Sequence, residues 1–399
     1  MGLSHEALEA LKTRAGKVVD ELAPTLIETS DAIYEEPELG LQEVKAAARL
    51  SGLLERKGLT VRRGLAGMPT AFVAAKDGRG PGPRVAILAE YDALPGIGHG
   101  CGHNIIGTSA VGAGIAVAAV MGQLEGTVLV VGCPAEEGAV DNAGGKVTLV
   151  EDGFFKGIDA AIMAHPSSRT SVEGTSTARE AMEISFKGRS AHAAGAPHEG
   201  INALDAAILT FNGINALRQH VKDDVRIHGV ITKGGVAPNI VPDYSEIRLY
   251  VRSNDRAYLA QTVEKVRDCA RGAALATGAT VSFRKTANTY ENMRTNKALA
   301  ATMQVNLETL GQKVEKPERP GSGSTDMGNV SQVIPAVHAY IGICGKNVVG
   351  HSREFAEATI TEAGHAGLLD GAKAMAMTVI DLLGQADLLR RVKDEFAAG

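Results

Sequence analysis

EYDALPGIGHGCGHN, from Glu90 to Asn104, is the stretch on which the fold and the site of this chain depend. The segment before it, RVAILA over residues 84–89, is short, apolar and bounded by Gly and Pro, which is typical of a buried parallel strand. The segment after it is long and rich in Ala, Gly and Val, which predicts a buried helix. The stretch therefore connects a strand to a helix, and such connections commonly carry functional side chains.

Several side chains of this connection are types that bind metal ions. It holds Asp92, His99, Cys101 and His103, and glycines flank the last two. A backbone with this freedom can direct a thiolate and an imidazole to one point, which is metal-ligand chemistry. A Cys and a His in one loop are also often unrelated, so the pair alone leaves a metal site and a chance pairing both open.

Two further predicted strands end in residues of the same kind. A buried strand over residues 128–133 is followed directly by Glu136 and Glu137, and a third strand, AAIMAHP, ends at His165. Packing alone does not explain why three strand ends carry such residues. Strands that alternate with helices also predict a largely parallel α/β sheet. An adjacent glutamate pair is often only a solvated turn. Here the buried strand favours a two-ion site, in which one carboxylate binds and the other moves a proton.

The pattern changes from about Arg179. Strands of alternating polarity and two helices follow in the order β-α-β-β-α-β, which is typical of a separate ferredoxin-like α+β domain. Helical and strand segments of the first kind then resume, and the GHSREF loop, which carries His351, and a helix over residues 361–383 complete the first domain. The sequence therefore predicts a catalytic domain of residues 1–177 and 290–399, with an inserted domain of residues 178–289.

Composition narrows the class of protein. The 399 residues are too many for one core of usual size, which favours two domains. A formal charge of -5 gives no basic surface for nucleic acid or anionic lipid, so we expect neither partner. The apolar run at 105–121 is slightly short for a membrane span, and the charged N-terminal segment has no signal-peptide core. Four cysteines without paired spacing fit a reducing environment, and we expect a cytoplasmic protein.

Seven motifs in order carry a resemblance to a known family over nearly the whole chain. They are DALPGIGHGCGHN, PAEEGA, the His of MAHP, SAHAAGAPHEGINALDA, GGVAPNIVPD, GSTDMGNVS and GHSREF. The chain resembles the aminoacylase and carboxypeptidase G type metallopeptidases. It is most similar to their amidohydrolase branch, which contains hippurate hydrolase, indole-acetyl-amino-acid hydrolase and p-aminobenzoyl-glutamate hydrolase.

The resemblance implies a zinc-exopeptidase-like catalytic domain with two divalent metal ions per subunit, which zinc, manganese or cobalt would supply. The implied ligands are Cys101, His103, Glu137, His165 and His351. Glu136 is the implied general base and then acid, and Asp92 would orient a ligand histidine.

By the same resemblance, the inserted domain forms a lid and the contact of a homodimer. His192 would reach the site of the neighbouring subunit and stabilise the oxyanion, and Asn239 would help hold the substrate. His228 lies on a predicted strand of this domain, where packing and substrate lining both remain open.

The chain also departs from the family pattern. HGCGHN replaces the commoner HACGHD, so Asn104 cannot supply the negative charge that an Asp would give beside the ligands. The AVDNAGG loop is longer and more polar than the usual glycine run. The EYDALP and GHN variants are closest to the p-aminobenzoyl-glutamate hydrolase and dipeptidase side of the branch, and the sequence does not name one substrate.

The sequence thus predicts a metal-dependent hydrolase of an amide C–N bond in a small N-acyl or N-aroyl amino acid or a dipeptide. One alternative is a non-peptide C–N bond, in an aromatic amine, an amidine or a carbamoyl group. An inactive metal-binding scaffold is the other, and Glu136 argues against it because a structural metal site needs no such residue. A dinucleotide-binding protein is not indicated, because GIGHGC lacks the last glycine of the G-x-G-x-x-G motif. A serine hydrolase is not indicated either, because neither GRSAH nor GSGST forms G-x-S-x-G.

Overall fold

The computed structural model describes residues 3–316 and 323–398. These residues form an α/β unit, Met1–Thr175 with Met293–Gly399, and an inserted unit, Ser176–Asn292. The predicted domain boundaries, 177/178 and 289/290, lie close to the ends of the inserted unit. The predicted loop that starts at Glu318 begins outside the described residues.

The elements follow one another along both units. The strands are β1 (Thr60–Leu65), β2 (Met68–Asp77), β3 (Arg84–Ala89), β4 (Thr127–Gly132), β5 (Ala160–Ser167), β6 (Ala178–Lys187), β7 (Arg226–Lys233), β8 (Tyr244–Ser253), β9 (Thr280–Lys285) and β10 (Ala336–Gly342). The helices are α1 (His5–Glu35), α2 (Val44–Arg56), α3 (His103–Ala118), α4 (Gly145–Glu151), α5 (Ala203–Leu217), α6 (Arg256–Thr277), α7 (Lys297–Thr309), α8 (Met327–Val333), α9 (Arg353–Ala358), α10 (Glu362–Gly384) and α11 (Ala386–Ala397).

The sheet of the α/β unit has the order β1-β2-β4-β3-β5-β10. The four strands β4, β3, β5 and β10 run parallel to one another, and β1 and β2 add an antiparallel edge next to β4. The predicted α/β fold with a largely parallel sheet is confirmed. Because β3 lies between β4 and β5, the loops that leave these three strands start side by side at one edge of the sheet.

The apolar run after the Cys/His connection is the buried helix α3. All of its residues except the last are buried, and it packs against α1, α10 and the sheet. Glycine permits this close approach, because a Cβ at Gly114 would lie 2.1 Å from Cγ2 of Val130 on β4. Among the described residues, no helix combines the length and the apolar character that a membrane crossing requires.

The inserted unit has a four-stranded sheet of order β7-β8-β6-β9, and its neighbouring strands are all antiparallel. Apolar side chains such as Ile184, Phe186 and Ile247 pack with residues of α5 and α6 into a core of their own. This is the ferredoxin-like arrangement that the sequence predicts for the insertion. The predicted fold class of the inserted domain is therefore confirmed.

Candidate metal centre

The connections that leave β3 and β4, strand β5 and the loop after β10 bring the five predicted ligands together. Sγ of Cys101 lies 3.4 Å from Nε2 of His165. On the neighbouring side, Nε2 of His351 lies 3.4 Å from Oε1 of Glu137. The strand prediction needs one correction, because β5 continues to Ser167 and His165 projects from within the strand rather than from its end.

These ligands form two clusters with one member in common. Cys101, His103 and His165 make the first, and Cys101, Glu137 and His351 make the second. Within each cluster the ligand atoms all lie within 4.8 Å of one another. Two ligand clusters this close together could each hold one ion, and a two-ion hydrolytic site needs two ions about 3.5 to 4 Å apart.

Buried polar atoms without partners indicate where cations would bind. Among the described residues, Nε2 of His103 and Oε1 of Glu137 are buried and accept or donate no hydrogen bond. Buried polar atoms in folded proteins are rarely left in this state. A divalent ion would satisfy both atoms, so the residues present fit the metal centre that the sequence predicts.

Asp92 prepares His103 for metal binding. Nδ1 of His103 donates to Oδ1 of Asp92 at 3.0 Å, because a carboxylate can only accept. Oδ2 of Asp92 accepts from the backbone N–H of Glu137 at 2.9 Å. This contact keeps the Nδ1 proton directed at Asp92, so Nε2 is the nitrogen that remains for an ion, and it also holds the loop that carries Glu137. Burial lowers the pKa of His103, but the charge of Asp92 outweighs burial and raises this pKa well above its ordinary value, so ion binding would displace the proton from Nε2.

His165 is oriented by the backbone of the next residue, as His103 is by Asp92. Its Nδ1 donates to the carbonyl of Pro166 at 2.7 Å, which leaves Nε2 facing Cys101. Burial lowers the pKa of His165 to about 4, so its imidazole is neutral near pH 7 and can bind an ion. Burial and then Glu137 raise the pKa of the Cys101 thiol, so we expect ion binding to release its proton.

Glu136 lies beside the clusters in a setting that suits proton transfer. One of its carboxylate oxygens is 3.9 Å from Nε2 of His103. Burial, followed by the charges of Glu90 and Glu137, raises its pKa well above the ordinary value. A carboxylate with raised proton affinity can take a proton from water and return it at neutral pH.

Strained backbone marks the loops that carry the site. His351 has a φ of 64°, and its N–H donates to the carbonyl of Gly100 at 2.8 Å, which ties the GHSREF loop to the Cys/His connection. Gly102 has a φ of 78°, and a Cβ there would lie 2.4 Å from Cγ of Pro166. Such conformations are costly for non-glycine residues and concentrate at functional sites.

Two polar residues of the connection have structural partners instead. Nε2 of the buried His99 donates to the carbonyl of Ile33, and burial lowers its pKa to about 3. Nδ2 of Asn104 donates to the hydroxyl groups of Ser30 and Thr359, at 3.1 and 3.2 Å. Asn104 therefore ties α3 to other helical segments, which explains why an amide serves here where an Asp is commoner.

In the inserted unit, the loops of His192 and Asn239 lie together. Ala193 N–H donates to the carbonyl of Asn239 at 3.0 Å. Nδ1 of the exposed His192 accepts from the N–H groups of Ala194 and Gly195, so its proton resides on Nε2. A histidine with this tautomer presents a hydrogen-bond donor to solvent or to a ligand.

His228 does not join them. It lies near the start of β7, whereas the Asn239 loop follows the end of that strand. Nε2 of His228 accepts from Nε of Arg252 at 3.3 Å, and its ring packs edge-on against Tyr250. The structure thus gives His228 packing partners, and a role in substrate binding stays a prediction.

Beside the candidate ligands and Glu136, sequence reasoning missed the buried charged residues Glu43, Glu90, Lys146 and Asp326. Glu90 belongs to the quoted stretch, and its position as an acid at a strand end could have found it. Asp326 lies inside the GSTDMGNVS motif. Glu43 and Lys146 are single residues in segments without any such signal, so only the fold identifies them.

Glu43 supports the loop of the two catalytic candidates. Its Oε1 accepts from the N–H groups of Ala135 at 2.8 Å and Leu41 at 2.9 Å, and its Oε2 accepts from Oγ1 of Thr70. Ala135 and Leu41 both have positive φ, 54° and 64°. One carboxylate therefore holds two left-handed turns together, and one of them directly precedes Glu136.

We expect Glu43→Ala to lower the free energy of unfolding by about 2 to 4 kcal/mol, because buried donors lose their acceptor. Glu43→Gln retains an oxygen for Ala135 and Leu41 and is expected to stay much closer to the wild type. Urea unfolding of the three proteins measures the difference. Equal losses in both variants would mean that the charge of Glu43, and not its role as an acceptor, stabilises the loop.

Comparison with known proteins adds a family. Residues 86–379 match the model described as peptidase family M20/M25/M40. The Xaa-Arg dipeptidase of Mus musculus is 39% identical, and the match covers 98% of this chain and 94% of that protein. One of the subunits of the p-aminobenzoyl-glutamate hydrolase of Escherichia coli (strain K12) is 31% identical, with 92% of this chain and 90% of that subunit covered.

The fold also has solved counterparts. The structure of a dinuclear metal binding peptidase of the M20 family from Bacillus subtilis superposes with a TM-score of 0.68 at 21% identity. The match covers 91% of this chain and 99% of that one. At this identity the likeness establishes the fold, and together with the sequence relatives it confirms the family resemblance predicted from the seven motifs.

Proposed function

The chain belongs to peptidase family M20/M25/M40 and is a hydrolase, and we propose that it cleaves the amide C–N bond of a dipeptide or an N-acyl or N-aroyl amino acid. The observation that carries this proposal is the pair of ligand clusters that share Cys101 beside Glu136. The names of the similar proteins, a dipeptidase and a p-aminobenzoyl-glutamate hydrolase, support amide substrates with a free amino-acid portion.

Charge supports a centre with two divalent ions. Around the candidate ligands, the buried carboxyl groups of Glu90, Asp92, Glu136, Glu137 and Asp326 lie with the buried ammonium group of Lys146. Buried carboxylates of this density need cations. Cys101, His103, Glu137, His165 and His351 would hold them. This mixed set of sulfur, nitrogen and oxygen donors accepts zinc, manganese or cobalt.

Glu136 is the proposed proton carrier of the reaction. Bound ions would supply a water molecule whose pKa is lowered from 15.7 to about 7 and would polarise the carbonyl of the substrate. Glu136 accepts the proton of the attacking water and then donates it to the nitrogen of the leaving amine. Each transfer needs a carboxyl group beside the ligands that is not itself a ligand, which is the role we assign to Glu136 and not to Glu137.

The inserted unit would complete the site within a homodimer. Strand β7 is an edge strand with exposed apolar side chains, including Val230 and Ile231, and such an edge is suited to pairing with a second copy. His192 would donate from Nε2 to the oxyanion of the neighbouring subunit, and the amide of Asn239 would hold the substrate. All four cysteines are free, which supports the cytoplasm as the compartment.

The proposal is tested by removing the metal and restoring it. We expect chelation to abolish hydrolysis and zinc, manganese or cobalt to restore it, with the highest rates on dipeptides or on N-acyl and N-aroyl amino acids. The screen includes aromatic amines, amidines and carbamoyl compounds as matched alternatives. A preference for one of those, or activity that survives complete chelation, would contradict the proposal.

A further inference from the structure

A buried charge triad lies directly behind the candidate ligands. Nζ of Lys146 donates to Oε1 of Glu90 at 2.5 Å and to Oδ1 of Asp326 at 2.6 Å. The N–H of Lys146 also donates to the second oxygen of Asp326. All three side chains are at most 1% exposed. Two carboxylates therefore share one ammonium group, and the triad keeps an excess negative charge out of water.

The second oxygen of Glu90 faces the candidate ligands. Oε2 of Glu90 is buried and has no hydrogen-bond partner among the described residues. It lies 3.5 Å from Nε2 of His103. That nitrogen is also buried and has no hydrogen-bond partner among the residues that the structure describes. The Nδ1 atom of that ring already bonds to Asp92, so Nε2 is the atom that remains for an ion.

The spacing of these two atoms fits two ligands of one ion. Oxygen and nitrogen ligands lie about 2.1 Å from a divalent ion, so two of them in a tetrahedral arrangement are about 3.4 Å apart. Glu90, His103 and Glu136 also form a third cluster whose ligand atoms all lie within 4.8 Å of one another. Within this cluster, the bond from Lys146 to Oε1 of Glu90 fixes the carboxylate with its second oxygen toward His103.

We propose that Glu90 is a further ligand of the metal centre, in which its Oε2 binds the ion held by His103 while Lys146 holds its Oε1. This inference rests on the two-ion centre of the proposed function. It adds an oxygen donor to a position otherwise formed by Cys101, His103 and His165. Carboxylate oxygen suits manganese better than softer metals, so Glu90 would strengthen the binding of manganese at this position.

A purely structural role does not account for Glu90 equally well. Asp326 contacts Lys146 through both its oxygens and supplies the one negative charge that the ammonium group needs. A second buried carboxylate would add only a desolvation penalty unless another cation offsets it. The orientation of Oε2 toward His103 identifies where that cation would be.

Glu90→Gln tests the proposal with little disturbance of the triad. The amide oxygen still accepts from Lys146, and Lys146 and Asp326 remain a pair of opposite charges. We expect manganese titration of chelated protein, followed by calorimetry, to show one of two binding events weakened by about 10- to 100-fold. The visible spectrum of the cobalt-loaded protein should change as well, because a ligand of the ion is altered.

Asp381→Asn is the matched control. Asp381 is also a buried carboxylate bonded to a lysine, Lys12 at 2.7 Å, and it accepts from Asn306. The same loss of one buried charge there should leave both binding events and the cobalt spectrum unchanged. If Glu90→Gln does not fold, Glu90→Asp keeps the charge beside Lys146 but shortens the reach toward His103, and it should weaken the same event.

Each outcome decides the proposal. Wild-type affinities and an unchanged cobalt spectrum in the Glu90 variants would overturn it and leave the proposed function intact. Equal weakening in Asp381→Asn would also overturn it, because the effect would then follow from any lost buried charge. If the wild-type protein binds no ion, the proposed function itself fails and the role of Glu90 fails with it.

Discussion

Glu136→Gln is expected to lower kcat by roughly 10²- to 10⁴-fold while both metal ions stay bound. The range is the usual contribution of general acid-base catalysis, and glutamine can neither take nor return a proton. Metal analysis of the purified variant, together with steady-state kinetics, measures both quantities. Because its carboxylate lies 3.9 Å from Nε2 of His103, loss of metal would instead place Glu136 among the ligands.

Glu137→Gln is the matched control for that variant. It makes the same change at the next residue, whose Oε1 is buried without a hydrogen-bond partner among the described residues and lies 3.4 Å from His351. We expect this variant to lose metal affinity first and activity as a consequence. If both variants keep their metal and lose the same activity, the division of roles between the two glutamates is wrong.

Mixed dimers test the second large effect, the supply of His192 by the partner subunit. Glu136→Gln and His192→Ala homodimers should each be nearly inactive. When the two are dissociated and mixed in equal amounts, half of the dimers contain one subunit of each kind. If His192 acts across the dimer, each mixed dimer has one intact site, and activity should recover to roughly a quarter of the wild-type value.

The opposite result is equally informative. If His192 acts within its own subunit, both sites of every mixed dimer carry a lesion and activity does not recover. Native mass spectrometry confirms that the subunits have exchanged. Mixing either variant with itself gives the baseline. A baseline value after confirmed exchange would contradict the assignment of His192 to the neighbouring site.

The parallel sheet and the neighbourhood of the five candidate ligands could be predicted because their signals are local. Buried strands such as β3 and β4 are short apolar runs bounded by Gly and Pro, and the candidate ligands lie in the connections that follow the strands or, for His165, within strand β5. Once the strands are parallel, their carboxyl ends must meet at one edge. The burial of α3 was likewise predictable, because its sequence is a glycine-rich apolar run.

The supports of the site could not be predicted, because each joins segments that are distant in sequence. Glu43 reaches Ala135 across 92 positions, and Lys146 reaches Asp326 across 180. A single buried Glu or Lys in a helical segment gives no periodic signal that separates it from a surface charge. The hydroxyl partners of Asn104 have the same origin, since Ser30 and Thr359 come from opposite ends of the chain.

Anomalous diffraction from crystals of the zinc-loaded protein locates the ions themselves and so tests the two-ion centre. We expect two peaks per chain that share Cys101. One would lie against His103 and His165, and the other against Glu137 and His351. A single peak, or peaks that do not contact Cys101, would contradict the two-ion centre from which the proposed reaction follows.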